Sequence, residues 1–356
     1  MGAGAVGLSI AKYLSEKGQK VLVIEQESRA GEGISSRNSG VIHAGMYYPK
    51  ESLKTKFCIE GNKLLYEYAE LKNISHKKTG KFIIASHENE LANLNKIFLQ
   101  GKSNGVDLRE STLEEVKKKE PELDIAGALF SPETGIIDVP EFITSLEGDI
   151  QHNHGIVSFN TNFLSAKRNG KAFSIKCFDE KEFEIKSSYL INSAGLGSEN
   201  VSSSVSPLSE EFTHKIHYAK GHYFKYSGVN PFDALIYPLP SESSQGLHVG
   251  FDMSYQLRFG PDISWVDEID YAFDESLKEK FIHSIHNYWP GMEPERLHPD
   301  YCGIRPKIQK PSEKMRDFSI QFPKDHKIEG FINLQGIESP GITSSLAIGK
   351  YISSMI

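Results

Sequence analysis

The alternation of apolar and polar positions reads as an α/β protein in which strands repeatedly run into glycine-rich turns. Behind Gly7, the residues Leu8, Ala11, Tyr13 and Leu14 make an apolar stripe at helical spacing, and Lys17-Gly18 supplies a stop. Val21-Leu22-Val23-Ile24 then reads as a buried parallel strand ending at Glu25. Helical spacing returns from Ser52 to Lys72, Lys81 to Ser86 reads as a strand, and Thr112 with Glu115 forms a capping box in front of a surface helix.

The second half begins as a meander. Phe163 to Lys167 and Ala172 to Phe178 flank Asn169-Gly170, a two-residue hairpin signal, and Phe183 to Lys186 extends it. Tyr189 to Asn192 predicts a buried strand that runs into Ser193-Ala194-Gly195-Leu196-Gly197. Short alternating runs such as His222 to Tyr226 and Leu247 to Phe251 predict a second, mostly antiparallel sheet, followed by a helix over Glu275 to Tyr288. Phe331 to Leu334 is a last strand; it enters Gly336-Ile337-Glu338-Ser339-Pro340-Gly341 and then a helix from Ile342, a junction whose amino end can face an anion or an electron-rich carbonyl. No repeat, low-complexity tract or long linker divides the 356 residues, so two domains are expected to be interwoven.

Composition changes this picture little. With 38% apolar and 24% charged residues the chain can bury a large core. A net charge of −7 gives no pull towards nucleic acid or an anionic membrane, and the basic run Lys117 to Lys119 sits among acids as a solvated helix face. Three scattered cysteines (Cys58, Cys177, Cys302) make neither a disulfide framework nor a metal site. His283 and His286 share a helical face but lack recognisable further ligands, so no metal is expected; His152-Asn153-His154 reads as a surface turn. A reducing compartment, hence a cytoplasmic setting, fits the cysteine usage.

The chemistry starts at Met1-Gly2-Ala3-Gly4-Ala5-Val6-Gly7. Gly2 would make the tight turn, Gly4 would let a pyrophosphate approach the backbone, and Gly7 would let the helix pack closely. Glu25, ending the next strand, is placed to bond ribose hydroxyls and disfavours a 2′-phosphate. The motif alone also fits a plain structural turn; with the amphipathic helix, the strand and the acid it points to a dinucleotide. Such a turn should follow a strand, and only Met1 precedes Gly2, so a strand of ~5–6 residues is expected upstream.

Strand–glycine junctions at the start, middle and end resemble those of flavin oxidoreductases of the D-amino-acid-oxidase type. The loop Ser35 to Pro49 (Ser-Ser-Arg-Asn-Ser-Gly-Val-Ile-His-Ala-Gly-Met-Tyr-Tyr-Pro) is similar to the signature loop of L-2-hydroxyglutarate dehydrogenases and oxidases. So are Lys220 to Tyr223, Leu235 to Pro240, Arg258 to Asp262, Tyr288 to Gly291, Tyr301 to Lys307 and Gly336 to Thr343. The resemblance implies a Rossmann-like FAD-binding domain built from discontinuous segments (1–78, 141–212 and 325–356) and an α+β substrate domain (79–140 and 213–324). It implies FAD as cofactor, hydride transfer to flavin N5, a small dicarboxylate substrate, and quinone or oxygen as acceptor, with attachment at the inner face of a membrane left open. The absence of a transit peptide points to the bacterial type of the family. Oligomeric state is not legible.

For site residues, Gly2, Gly4, Gly7 and Glu25 should hold the ADP half, Arg37 and Ser39 should approach flavin or pyrophosphate, Gly195 should pass near the cofactor, and Gly336, Gly341 and Ile342 should sit by the pyrimidine end. His43 is the candidate base, since an ordinary imidazole near 6.5 suits proton transfer at neutral pH; a purely structural histidine is the alternative. Arg305 is the leading carboxylate clamp, against a buried ion pair. His248, Tyr237 and Arg258 are further substrate contacts. Three other readings stay open: the same scaffold acting on an amino acid or glycerol 3-phosphate, an NAD-dependent dehydrogenase, and a non-catalytic flavin-fold module.

Overall fold

The computed structural model describes residues 1–239 and 246–356. Of the sequence blocks above, Leu235 to Pro240 is described as far as Leu239; Pro240 lies outside the described residues.

The opening helix runs Ala5–Glu16 and ends where expected, with Lys17 as its cap and Gly18 at φ +76°. The strand after it, Leu22–Ile24, pairs in parallel with Ile156–Ser158. A second small sheet sets Leu190–Asn192 parallel to Phe331–Gln335, with Ser319–Gln321 antiparallel on the far side. The residues leading into the glycine turn join these two pieces. Gly2 N–H donates to Ile24 O at 2.8 Å, Ser193 N–H donates to Met1 O at 3.1 Å, and the Met1 amine donates to Ile191 O at 2.8 Å.

Three helices cover this layer: Ala5–Glu16, Leu53–Lys72 and Gly341–Ser354. Small residues let them meet closely. A Cβ on Gly61 would stand 2.1 Å from Thr343 O, and one on Gly349 2.6 Å from the Ser9 backbone. Leu8, Leu65, Phe142 and Leu146 form one buried cluster here, and Ile10, Phe57, Leu334 and Ile348 another. Ser52 caps the second helix by accepting the Thr55 N–H, and Asn73 ends it with φ +54°.

The meander appears as read. Asn162–Asn169 and Ala172–Asp179 are antiparallel around Gly170, and Lys181–Ser187 adds a third strand. The capping box Thr112/Glu115 opens the helix Leu113–Lys119, whose three lysines face solvent.

The large sheet has nine strands among the described residues, from Ser264–Val266 at one edge to Arg109–Ser111 at the other. Its pairings are antiparallel except one, Lys81–Ala85 beside Leu235–Pro238. Phe82, Phe224, Phe259, Tyr288 and Trp289 fill its core. The expected helix Glu275 to Tyr288 is a 3₁₀ turn, Glu275–Leu277, followed by Lys278–His286; His286 Nε2 then pairs with Met292 O at 2.9 Å, which closes the chain back on itself. Among the described residues no helix is long and apolar enough to cross a membrane.

Candidate active site

A cavity of about 1090 Å³ runs between the small parallel sheets and the large one. It is slightly above the ~300–1,000 Å³ usual for small-molecule sites, enough for a long ligand. Gly2, Gly4 and Glu25 line one end; His43, Tyr237, His248 and Arg305 line another part. Arg37, Ser39, Gly195, Gly336, Gly341 and Ile342 lie along it. Gly7 stands behind this wall, where an added Cβ would lie 2.0 Å from Gly2 O, so its role is close packing of helix on turn.

Gly4 is the N-cap of the first helix, no acid occupies the first turn, and Ser35 Oγ accepts the Ala5 N–H at 3.0 Å. A helix amino end of this kind favours an anion. Gly2 has φ +94°, and a Cβ there would meet Ser193 O at 2.8 Å, so a side chain is excluded on two grounds. Glu25 is held by backbone donors, Ala3 N–H at 2.6 Å and Glu27 N–H at 3.0 Å, so its carboxylate stays at the cavity edge.

A second helix end, this one without a side-chain cap, enters from the C-terminal side. Gly341 begins its helix without a capping side chain or a first-turn acid. Beside it Glu338 is buried between Lys54 (2.9 Å) and Lys307 (2.6 Å). Burial opposes ionisation of Glu338, but the two ammonium groups outweigh it and hold the carboxyl below its ordinary value. The two helix ends, the glycine backbone and the fixed acid together suit a dinucleotide with a polar ring system at one end.

His43 follows the two-residue strand Val41–Ile42 and is clamped through its backbone. Its N–H donates to Thr343 Oγ1 at 3.0 Å, and its carbonyl accepts from Asn62 Nδ2 at 2.9 Å. Burial first, then the nearby Lys81 charge, push the imidazole down to about 3. The expectation of a histidine titrating near neutrality is therefore corrected: burial keeps the His43 ring neutral around neutral pH. Tyr237 and His248 are stacked, and burial lowers His248 well below its usual value and raises Tyr237 well above.

Arg305 donates to the backbone carbonyl of Asp262 at 3.2 Å and has no carboxylate partner among the described residues. Gly221, opposite Gly303 in the sheet register, leaves it room, since a Cβ on Gly221 would lie 3.0 Å from Arg305 Nη2. The alternative of a structural ion pair is thus not what this guanidinium does. Arg37 stacks over Tyr271 at 4.2 Å and donates to Cys302 O. Ser39 Oγ pairs with Tyr223 Oη at 2.9 Å.

Arg258 is elsewhere. It borders a smaller adjoining pocket, and its guanidinium is bridged by Asp300 (2.6 Å) and Asp252 (2.9 Å), so the expected substrate contact is replaced by a charge already neutralised. Two groups escaped the sequence reading. Glu338 lay inside a recognised block without a role, and Lys81 opened a strand; its amine is buried between the rings of Tyr237 (4.2 Å) and Tyr47 (4.8 Å).

Comparison with known proteins matches residues 1–355 to the family of FAD dependent oxidoreductases abbreviated DAO. The mitochondrial L-2-hydroxyglutarate dehydrogenase of Arabidopsis thaliana is 38% identical, over 99% of this chain and 82% of its own length. A glycerol 3-phosphate dehydrogenase of Caloramator mitchellensis is 28% identical, over 100% of this chain and 72% of its own. In fold, the chain superposes on the FAD-bound L-α-glycerophosphate oxidase of Mycoplasma pneumoniae with a TM-score of 0.87 at 21% identity, covering 98% of this chain and 91% of that one.

Proposed function

Because the chain belongs to the DAO family of FAD-dependent oxidoreductases, we propose that it oxidises the hydroxyl-bearing carbon of L-2-hydroxyglutarate to give 2-oxoglutarate. The observation that carries this reading is that one cavity joins the glycine turn and Glu25 to a neutral imidazole and a guanidinium without a carboxylate partner. Similarity over nearly the whole chain to L-2-hydroxyglutarate dehydrogenases supports the substrate.

FAD, when bound, supplies the two-electron acceptor for the hydride on C2. Gly2, Gly4 and Glu25 would hold its ADP half, and Gly336, Gly341 and Ile342 would border its ring system. The rest falls to side chains of this protein. Arg305 offers a planar fork to a substrate carboxylate and so fixes which face of C2 is presented. His43, neutral and clamped by Thr343 and Asn62, accepts the hydroxyl proton as the C2–H bond breaks. Tyr237 and His248, stacked on each other, form part of the cavity wall. A quinone or oxygen would be the final electron acceptor.

The relative acting on glycerol 3-phosphate sets the competing substrate. Anaerobic reduction of the purified flavoprotein is to be followed with L-2-hydroxyglutarate, glycerol 3-phosphate and glycine side by side. Fast reduction by the hydroxy dicarboxylate alone is expected; preferential reduction by either of the others overturns the assignment.

A further inference from the structure

Lys81 begins the strand Lys81–Ala85, in register with Leu235 on one side and Ser131 on the other. Its side chain is fully shielded, and its amine has no hydrogen-bond partner among the described residues. The groups facing it come from four parts of the fold: His43 and Tyr47 from the signature loop, Cys58 from the second helix, Tyr237 from the neighbouring strand, and His248 stacked on that same tyrosine ring. None of these is an anion. Burial pushes the Cys58 thiol up to about 12 and raises both phenols. Two aromatic faces offset only part of the cost of a buried ammonium. Burial accordingly pushes Lys81 down to about 7, so amine and ammonium are both populated near neutrality in the free protein.

The wall in front of Lys81 is the part of the cavity lined by His43, Tyr237 and His248. A dicarboxylate brings two negative charges there, and Arg305 can answer one. Arg258 is committed to Asp252 and Asp300 and Lys307 to Glu338, Arg37 is stacked on Tyr271 and bonded to Cys302 O at the part of the cavity assigned to the cofactor, and both wall histidines are held neutral. Tyr237 lines the cavity and the amine lies 4.2 Å from its ring centroid, so an anion in the cavity still acts on the lysine.

We propose that Lys81 is the second counter-charge for a dianionic substrate, and that a dicarboxylate filling the cavity converts its amine to ammonium with uptake of up to one proton from solvent. Lys81 is thus a positioning residue that selects two carboxylates over one. This rests on the substrate class proposed above.

The test uses the FAD-loaded protein and the product 2-oxoglutarate, with 2-oxovalerate as a monoanionic control. Binding is measured by calorimetry from pH 6 to 9 in buffers of different ionisation heat. For 2-oxoglutarate, Kd should weaken up to tenfold per pH unit above about 7 with up to one proton taken up; 2-oxovalerate should show neither. Lys81→Met should weaken 2-oxoglutarate at pH 6.5 by tenfold or more and abolish the pH slope. Lys81→Arg, which cannot lose its proton in this range, should bind without a slope. A wild-type Kd that is flat from pH 7 to 9 overturns the proposal, whether or not the variants fold, as does a slope that survives in Lys81→Met. If L-2-hydroxyglutarate still reduces the flavin in that case, the substrate class stands and Lys81 alone is wrong. Failure of both 2-oxoglutarate binding and flavin reduction removes both.

Discussion

Thr343 Oγ1 accepts the His43 amide at 3.0 Å and donates to the Val41 carbonyl at 3.3 Å, so the last helix of the chain holds the loop that carries the imidazole. His43 owes its place to that helix as much as to its own strand. Thr343→Val keeps the shape but leaves the His43 N–H without an acceptor, at a cost of about 1–3 kcal/mol. The expected result is a lower Tm together with slower flavin reduction at saturating substrate. Unchanged values for both would show that this bond does not position the imidazole.

Removing the imidazole itself should act on the rate. His43→Ala is expected to slow flavin reduction by about 10²-fold, the lower end of what a positioned general base contributes, because an imidazole pushed down to about 3 is a weak base, with substrate affinity little changed. Because His43 is pushed down to about 3, its neutral form persists at every higher pH and is lost only as pH falls towards that value. The reduction rate at saturating substrate should therefore show no histidine-like step between pH 5 and 7. A step near 6.5 that disappears in His43→Ala would contradict the burial argument.

Arg305 should act on binding. Arg305→Ala removes charge-assisted hydrogen bonds worth about 1.5–3 kcal/mol, or roughly 10–150-fold in affinity. Arg305→Lys should recover only part, because a point charge does not reproduce the fork. Stopped-flow reduction against substrate concentration separates the two effects; an unchanged half-saturation point in Arg305→Ala would remove the clamp.

The glycine turn makes a prediction about assembly. Gly7→Ala places a Cβ 2.0 Å from the Gly2 carbonyl, a backbone atom that a rotamer change cannot move aside. Overpacking of this kind costs about 1–3 kcal/mol or more. Lower thermal stability and a reduced FAD-to-protein ratio are expected from unfolding scans and absorbance. A fully loaded, equally stable variant would place Gly7 outside the turn's close contact.

Local signals carried much of the fold. The glycine turn, the hairpin at Asn169-Gly170 and the capping box at Thr112 depend on neighbours in sequence and appear in the structure as read; the strand before Glu25 is there too, shortened to Leu22–Ile24 with Leu22 exposed. Charges set by distant partners were not legible. Arg258 looked like a substrate contact because Asp300 is brought to it only by the pairing of strands around the central His217–Tyr226. Lys81 follows Gly80 and looks like a solvated strand end; nothing nearby in sequence announces that Tyr47 and Tyr237 will enclose it. The same burial shifted His43 away from the ordinary imidazole value.

The most direct measurement is the visible spectrum of the purified protein as each enantiomer of 2-hydroxyglutarate is added without oxygen. The expected result is a flavin band that bleaches with the L form, yields one 2-oxoglutarate per flavin reduced, and is unmoved by the D form. A flavin band that neither enantiomer bleaches, or that the D form bleaches equally well, would contradict it.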